Sequence, residues 1–183
     1  MLVPRERDAL LEIARASRVA RVNARQPPPV GALRIGSRAA FVTLRIEGAL
    51  RGCIGHLETD RPLAETVQLV AMAAAIEDPR FPPMHQEELA EVVIEVSVLG
   101  PLEPCADPAH LEVGRHGVLV EDGARRGLLL PQVAVEWGWD GRMFLSQACV
   151  KAGLKPDAWP GSVRVFTFEA EVFEENAPSP SDP

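Results

Sequence analysis

The sequence predicts an α+β protein built from antiparallel β-hairpins with flanking helices. Two hairpin patterns carry that prediction, one turning at Glu47-Gly48 and one at Asp122-Gly123, and each is followed by helical periodicity and then a long alternating segment. The helices are not interleaved one for one with single strands, which counts against a doubly wound parallel sheet. Hairpin, helix, strand and then hairpin, helices, strand outlines two similar lobes of one domain over 1–175, although no residue-level repeat establishes a duplication. Residues 176–183, NAPSPSDP, are too polar and proline-rich to pack and are expected to form a disordered tail.

Each element has a local reason. Residues 5–24 bring Leu10, Ile13, Ala14 and Val22 to one helical face, and the QPPPVGA run at 26–32 ends that helix. AAFVTLRI at 39–46 alternates as a strand, and ALRGCIG after the turn is its returning partner. Asp60 and Pro62 announce a helix over 62–77, where Leu63, Val67, Val70, Ala71 and Ala74 recur at helical spacing and present a small-residue face suited to close packing on a sheet. EDPRFPP at 77–83 stops it as a rigid loop, and a short helix is expected near 86–89. Val92, Ile94, Val96 and Val98 alternate as a strand. Prolines 101, 104 and 108 predict an irregular connection. VLVEDGARRGLLL forms the second hairpin. PQVAVEWGWDGRMFLSQACVKAGL reads as two helical pieces joined near Gly138 or Gly141, and 163–173 alternates as a long strand. Trp137 and Trp139, two apart, do not share a helix face, and Trp137 is expected in the core.

Composition bounds the function. With 183 residues and 46% hydrophobic content the chain can bury one good core. The start lacks the apolar run of a signal peptide, and LVAMAAAI at 69–76 is too short to span a bilayer, so a cytoplasmic protein without a membrane segment is expected. Cys53, Cys105 and Cys149 have neither disulfide-framework nor zinc-ribbon spacing. Residues 1–51 hold ten arginines against four acids, whereas the remainder is strongly acidic. The overall pI near 5.2 and the lack of tyrosine argue against nucleic acid, and the simpler reading is that the two charge fields attract each other within the fold.

LRGCIG at 50–55 is the stretch most open to chemistry. Simple alternation puts Arg51 and Cys53 on one face with Gly55, and Leu50, Gly52, Ile54 and His56 on the other. A cation beside a thiol favours the thiolate, the form that acts as nucleophile or metal ligand. Cys53 is therefore the candidate nucleophile, Arg51 its electrostatic partner, and His56 a possible third member should the chain bend at Gly55. Gly52 and Gly55 would bare backbone N–H groups to a ligand. The plain alternative is a buried structural cysteine with glycines marking a bulge or a close helix contact. Asp78 and Arg80, on the proline-fixed loop, and Gln132, at a strand-to-helix junction, are candidate binding residues; equally, Asp78 simply pairs with Arg80 at a helix end. Cys53 and His56 make only half a tetrahedral metal site, and no phosphate loop, dinucleotide fingerprint or iron–sulfur motif occurs, so neither a metal nor a cofactor is assigned.

LRGCIG at 50–55, EDPRFPP at 77–83, IEVSVL at 94–99 and RGLLLPQVAVEWGWD at 126–140 together resemble the AMMECR domain family over about residues 8–173. The resemblance implies an α+β fold with a cleft near LRGCIG. It establishes no reaction. Prokaryotic members, of the kind called AmmeMemoRadiSam system protein A, resemble one component of a three-part system with a Memo-like protein and a radical S-adenosylmethionine enzyme. Those partners are thus implied, with an unidentified small-molecule or modified macromolecular substrate; the alternative is a non-catalytic adaptor that docks one of them.

Overall fold

Glu47 and Gly48 both have positive φ, 50° and 79°, the conformation of a two-residue turn whose twist matches that of the strands it joins. In the computed structural model that turn connects β1 (Ala40–Ile46) to β2 (Ala49–His56), with Ile46 facing Ala49. The structure describes residues 1–175 except Ala32, Arg34, Glu58, Ala106, Pro108, Ala109, His110 and Ser162; the expected tail at 176–183 lies outside the described residues. The fold is α+β, and the chain divides into two compact units, Met1–Val98 with Glu171 onward, and Leu99–Ala170.

In the first unit the antiparallel order is β2-β1-β3, with β3 at Val92–Leu99. Ala40, Val42 and Leu44 of β1 face Val98, Val96 and Ile94 of β3, so one face of the sheet is continuously apolar. Helix α2 (Leu63–Ile76) covers that face with Val67, Val70, Ala71 and Ala74, and α1 (Pro4–Val22) adds Leu10 and Ala14 to the same core. Small residues let α2 come close: a Cβ built on Gly52 would lie 2.2 Å from the Ala74 carbonyl oxygen. The short helix expected near 86–89 is a 3-10 helix, Gln86–Ala90.

Five of the N-terminal arginines pair with acids of the later, acidic part of the chain, as the charge balance suggested. Arg7 and Arg38 converge on Glu171, Arg15 on Glu175, Arg21 on Glu77 and Arg51 on Glu88.

The second unit repeats the topology. Its order is β6-β5-β7, from β5 (His116–Asp122), β6 (Arg125–Leu129) and β7 (Arg164–Glu174), whose residues from Glu171 belong to the first unit. The proline-interrupted segment contributes β4 (Glu103–Pro104), which pairs with Thr167 and Phe166 of β7, a short edge pairing of the kind that tolerates proline and that no sequence pattern announced. Helices α3 (Pro131–Glu136) and α4 (Gly141–Lys151) cover the sheet through Ala134, Phe144, Leu145 and Ala148, against Val118, Val120 and Val165. Asp140 caps α4, its carboxylate accepting from the Met143 N–H at 2.7 Å. The expectation for Trp137 is corrected: it is 69% exposed, because α3 ends at Glu136 and the ring turns outward to stack on Trp139, 5.8 Å between centroids. Among the described residues no helix is long and apolar enough to cross a membrane.

Candidate functional site

The register of the first hairpin decides where Cys53 points. Starting from Ile46 opposite Ala49, an unbroken ladder would set Val42 against Cys53, on the face that packs on α2. Instead the register slips between Leu44 and Arg45: Arg45 faces Leu50, Leu44 faces Gly52, and Arg51 is the extra residue of a β-bulge. A one-residue slip moves every later side chain to the opposite face. Gly52 thus meets α2, while Cys53 pairs with Thr43 on the face away from it.

Around the sulfur the structure assembles a polar group. The Thr43 hydroxyl donates to Cys53 Sγ at 3.3 Å. β2 is the sheet edge, and the Cys53 backbone groups that point outward are taken by the loop after α2. The Cys53 N–H donates to Asp78 Oδ2 at 2.8 Å, and Arg80 Nη2 donates to the Cys53 carbonyl at 3.3 Å. Asp78 and Arg80 also join each other through three hydrogen bonds, the Arg80 backbone N–H to Oδ1 at 3.1 Å, Nε to Oδ1 at 2.9 Å and Nη2 to Oδ2 at 2.7 Å. The loop therefore stands in for a neighbouring strand at this one residue. Because Arg80 holds it, and despite its burial, Asp78 has its pKa lowered to about 2; Arg80 is raised in turn, chiefly by Asp78, with a contribution from the nearby Cys53. Burial pushes the other two thiols, Cys105 and Cys149, up.

Several expectations about the stretch are corrected. Arg51 is not the cation beside the thiol; the bulge sends it to Glu88, with Nε at 2.5 Å and Nη2 at 3.0 Å from the carboxylate oxygens, and the pairing holds Glu88 below the usual carboxylate range. Both Arg51 and Arg80 lie against Phe81, 5.9 and 5.5 Å from its centroid. Gly52 does not bare its backbone to a ligand, being buried beneath α2, and Gly55 leaves no hollow, since the Phe41 ring opposite lies 2.1 Å from where its Cβ would be. β2 runs straight through His56, which falls on the face opposite to Cys53 and lines an open depression of about 670 Å³ with Thr59, Asp60, Arg61, Pro62 and Glu65. Cys53 is outside that depression. Asp78 is nearly fully buried and acts on the backbone of Cys53, while Arg80 leaves half of its side chain in solvent. Gln132 belongs to the second unit, at the second position of α3. Thr43 and Glu88 were not singled out from the sequence. Thr43 was out of reach because its pairing with Cys53 exists only through the bulge. Among the described residues no cluster of three or more His, Cys, Asp or Glu is arranged to hold a metal.

An α+β fold with a partly buried cysteine on a bulged edge strand, clamped by an Asp-Pro-Arg loop, defines the class. The chain belongs to the AMMECR1 family, whose model matches residues 7–173. It is similar to a protein of Thermococcus gammatolerans, 46% identical over 97% of this chain and 90% of the relative, and to one of Methanothermobacter thermautotrophicus, 50% identical over 76% of each. The crystal structure of an uncharacterised protein from Pyrococcus horikoshii matches with a TM-score of 0.85 and 41% identity, covering 92% of this chain and 91% of that one.

Proposed function

We propose that the first unit carries a thiol-dependent catalytic or substrate-binding centre at Cys53, acting within a system that also uses a Memo-like protein and a radical S-adenosylmethionine enzyme. The observation that carries this reading is the donor set at the sulfur: a threonine hydroxyl donates to Sγ while a guanidinium is fastened to the same residue's carbonyl. A hydroxyl donor and a nearby cation are partners that a sulfur nucleophile uses when it attacks an electrophilic carbon or another sulfur. In this reading Cys53 is the nucleophile, Arg80 its electrostatic partner, Thr43 the hydrogen-bond donor and Asp78 the positioning residue that fixes Arg80 and the strand edge.

A second reading, an adaptor without chemistry, draws on a different observation. The second unit exposes Val135, Trp137 and Met143 close together in sequence, large apolar side chains of a kind found at docking surfaces.

Alkylation of the folded protein by iodoacetamide, followed by peptide mapping, separates the two. Cys53 is expected to react faster than Cys105 and Cys149, and Arg80→Gln to slow it by about tenfold, the order of effect of losing one stabilising charge. Reaction of Cys53 no faster than a free cysteine in solution, with no response to Arg80→Gln, would sink the thiol reading and leave the adaptor.

A further inference from the structure

Arg80 is fastened along one edge only. Its Nε and Nη2 are given to Asp78, and Nη2 also reaches the Cys53 carbonyl, while among the described residues Nη1 makes no hydrogen bond. The two partners differ in exposure: the Asp78 side chain is 3% exposed and that of Arg80 54%. The ion pair therefore turns its carboxylate inward and the unmatched N–H groups of Nη1 towards water. A guanidinium already held in one place loses little further freedom when it takes a ligand, which is the condition for a preorganised donor.

The surroundings set the charge such a ligand carries. The other cation on the Phe81 ring, Arg51, is 13% exposed and gives Nε and Nη2 to Glu88. Glu95, on the row of Cys53 and Thr43, lies two strands from the edge, about 10 Å away, whereas Arg80 is bonded to Cys53 itself. One open guanidinium nitrogen, with Asp78 already opposite the other edge, suits a single negative group; a dianion such as phosphate would be left half matched. We infer that the substrate of the Cys53 centre carries a carboxylate next to its reacting carbon, and that Nη1 of Arg80 holds it. This rests on the reading of Cys53 as a sulfur nucleophile and adds the substrate class, a small carboxylate-bearing electrophile.

Iodoacetate and iodoacetamide test it, because they share a reacting carbon and differ in charge. With either, the sulfur forms a bond to the methylene carbon, iodide leaves with the electron pair of the broken carbon–iodine bond, and the thiol proton passes to solvent. The quantity to read is the rate with iodoacetate divided by the rate with iodoacetamide, at Cys53 by peptide mapping and for free cysteine in the same buffer. At low ionic strength the ratio at Cys53 is expected to exceed that of free cysteine by about fivefold, the order of one exposed charge pair, and to fall towards it as salt is raised to about 1 M. Arg80→Gln is expected to remove the excess. A ratio in the unsubstituted chain equal to that of free cysteine overturns the inference, and so does an excess that survives in folded Arg80→Gln. Should that variant fail to fold, the unsubstituted chain and its salt dependence decide alone. Iodoacetamide by itself reports on the nucleophile: a fast reaction with an ordinary ratio sinks only the carboxylate, and a slow reaction with a raised ratio sinks the nucleophile and keeps Arg80 as the anchor of an anion beside an unreactive sulfur.

Discussion

The two hairpins place corresponding residues in corresponding rows and fill them oppositely. In the first unit Gly52 lies under the Ala74 carbonyl of α2, and in the second Gly127 lies under the Ala148 carbonyl of α4, with the same 2.2 Å separation from an added Cβ. One step along, on the face away from the helix, the first unit aligns Cys53, Thr43 and Glu95 across β2, β1 and β3. The second aligns Leu128, Leu119 and Phe166 across β6, β5 and β7. One row is polar with a thiol at its edge, the other is hydrocarbon. The shared glycine is thus a requirement of helix-on-strand packing, whereas the residue after it is free to differ, and that is where the units diverge. A second difference accompanies the first: the β1–β2 ladder has a bulge at Arg51, while β5 and β6 pair without a shift from Asp122–Arg125 to Val118–Leu129.

The most damaging way to break the correspondence is to fill either glycine. Gly52→Ala and Gly127→Ala each force a methyl into a backbone carbonyl, which neither a rotamer change nor a small shift relieves. Each is expected to destabilise by about 3 kcal/mol, at the upper end for overpacked sites and a large part of a typical domain's stability. Gly36→Ala, where nothing lies within 4 Å, serves as the control. Urea unfolding measures all three; a neutral Gly127→Ala beside a damaging Gly52→Ala would show that the two units do not share this packing rule.

A smaller effect sharpens what is peculiar to the first unit, the clamp on its edge at Cys53. Asp78 titrates near 2 in the folded chain instead of near 3.8. Its ion pair therefore stabilises fully above the ordinary carboxylate value, and the contribution fades as pH falls through about 2. A shift of this size corresponds to about 2 kcal/mol. Asp78→Asn is expected to lose that much at pH 7, and the gap between the two proteins should close towards pH 2. A gap that stays constant with pH would mean that packing, rather than the charge of Asp78, holds the loop.

The hairpins, the helices and the two-lobed order were legible because each depends on local periodicity and turn chemistry. The site was legible only in part. Cys53, Asp78 and Arg80 were readable as residues that chemistry would use, and the structure gathers them. Their geometry was not, since alternation assumes an unbroken ladder and one bulged residue reverses the face of everything beyond it. For the same reason Arg51 was paired with the thiol in sequence and is paired with Glu88 in space, a partner 37 positions away. Phe41 over Gly55 was likewise hidden, because a missing side chain looks the same in sequence whether it leaves a hollow or receives a ring. Trp137 misled for a different reason: large aromatics are usually buried, and nothing local says that a helix stops one residue before it.

The mildest test asks whether strand position or surroundings make the thiol special. Leu128 holds the position of Cys53 in the second hairpin, next to its own strand glycine, but faces Leu119 where Cys53 faces Thr43, and it is 6% exposed. Leu128→Cys is expected to cost only about 1–2 kcal/mol, since a small apolar side chain replaces a larger one in a buried row. The new thiol should alkylate about tenfold or more slowly than Cys53, because no hydroxyl donates to it and burial disfavours its charged form. Peptide mapping after a timed iodoacetamide pulse reads both cysteines in one sample. If the two react at the same rate, the polar row contributes nothing to reactivity, and the difference between the hairpins is one of packing alone.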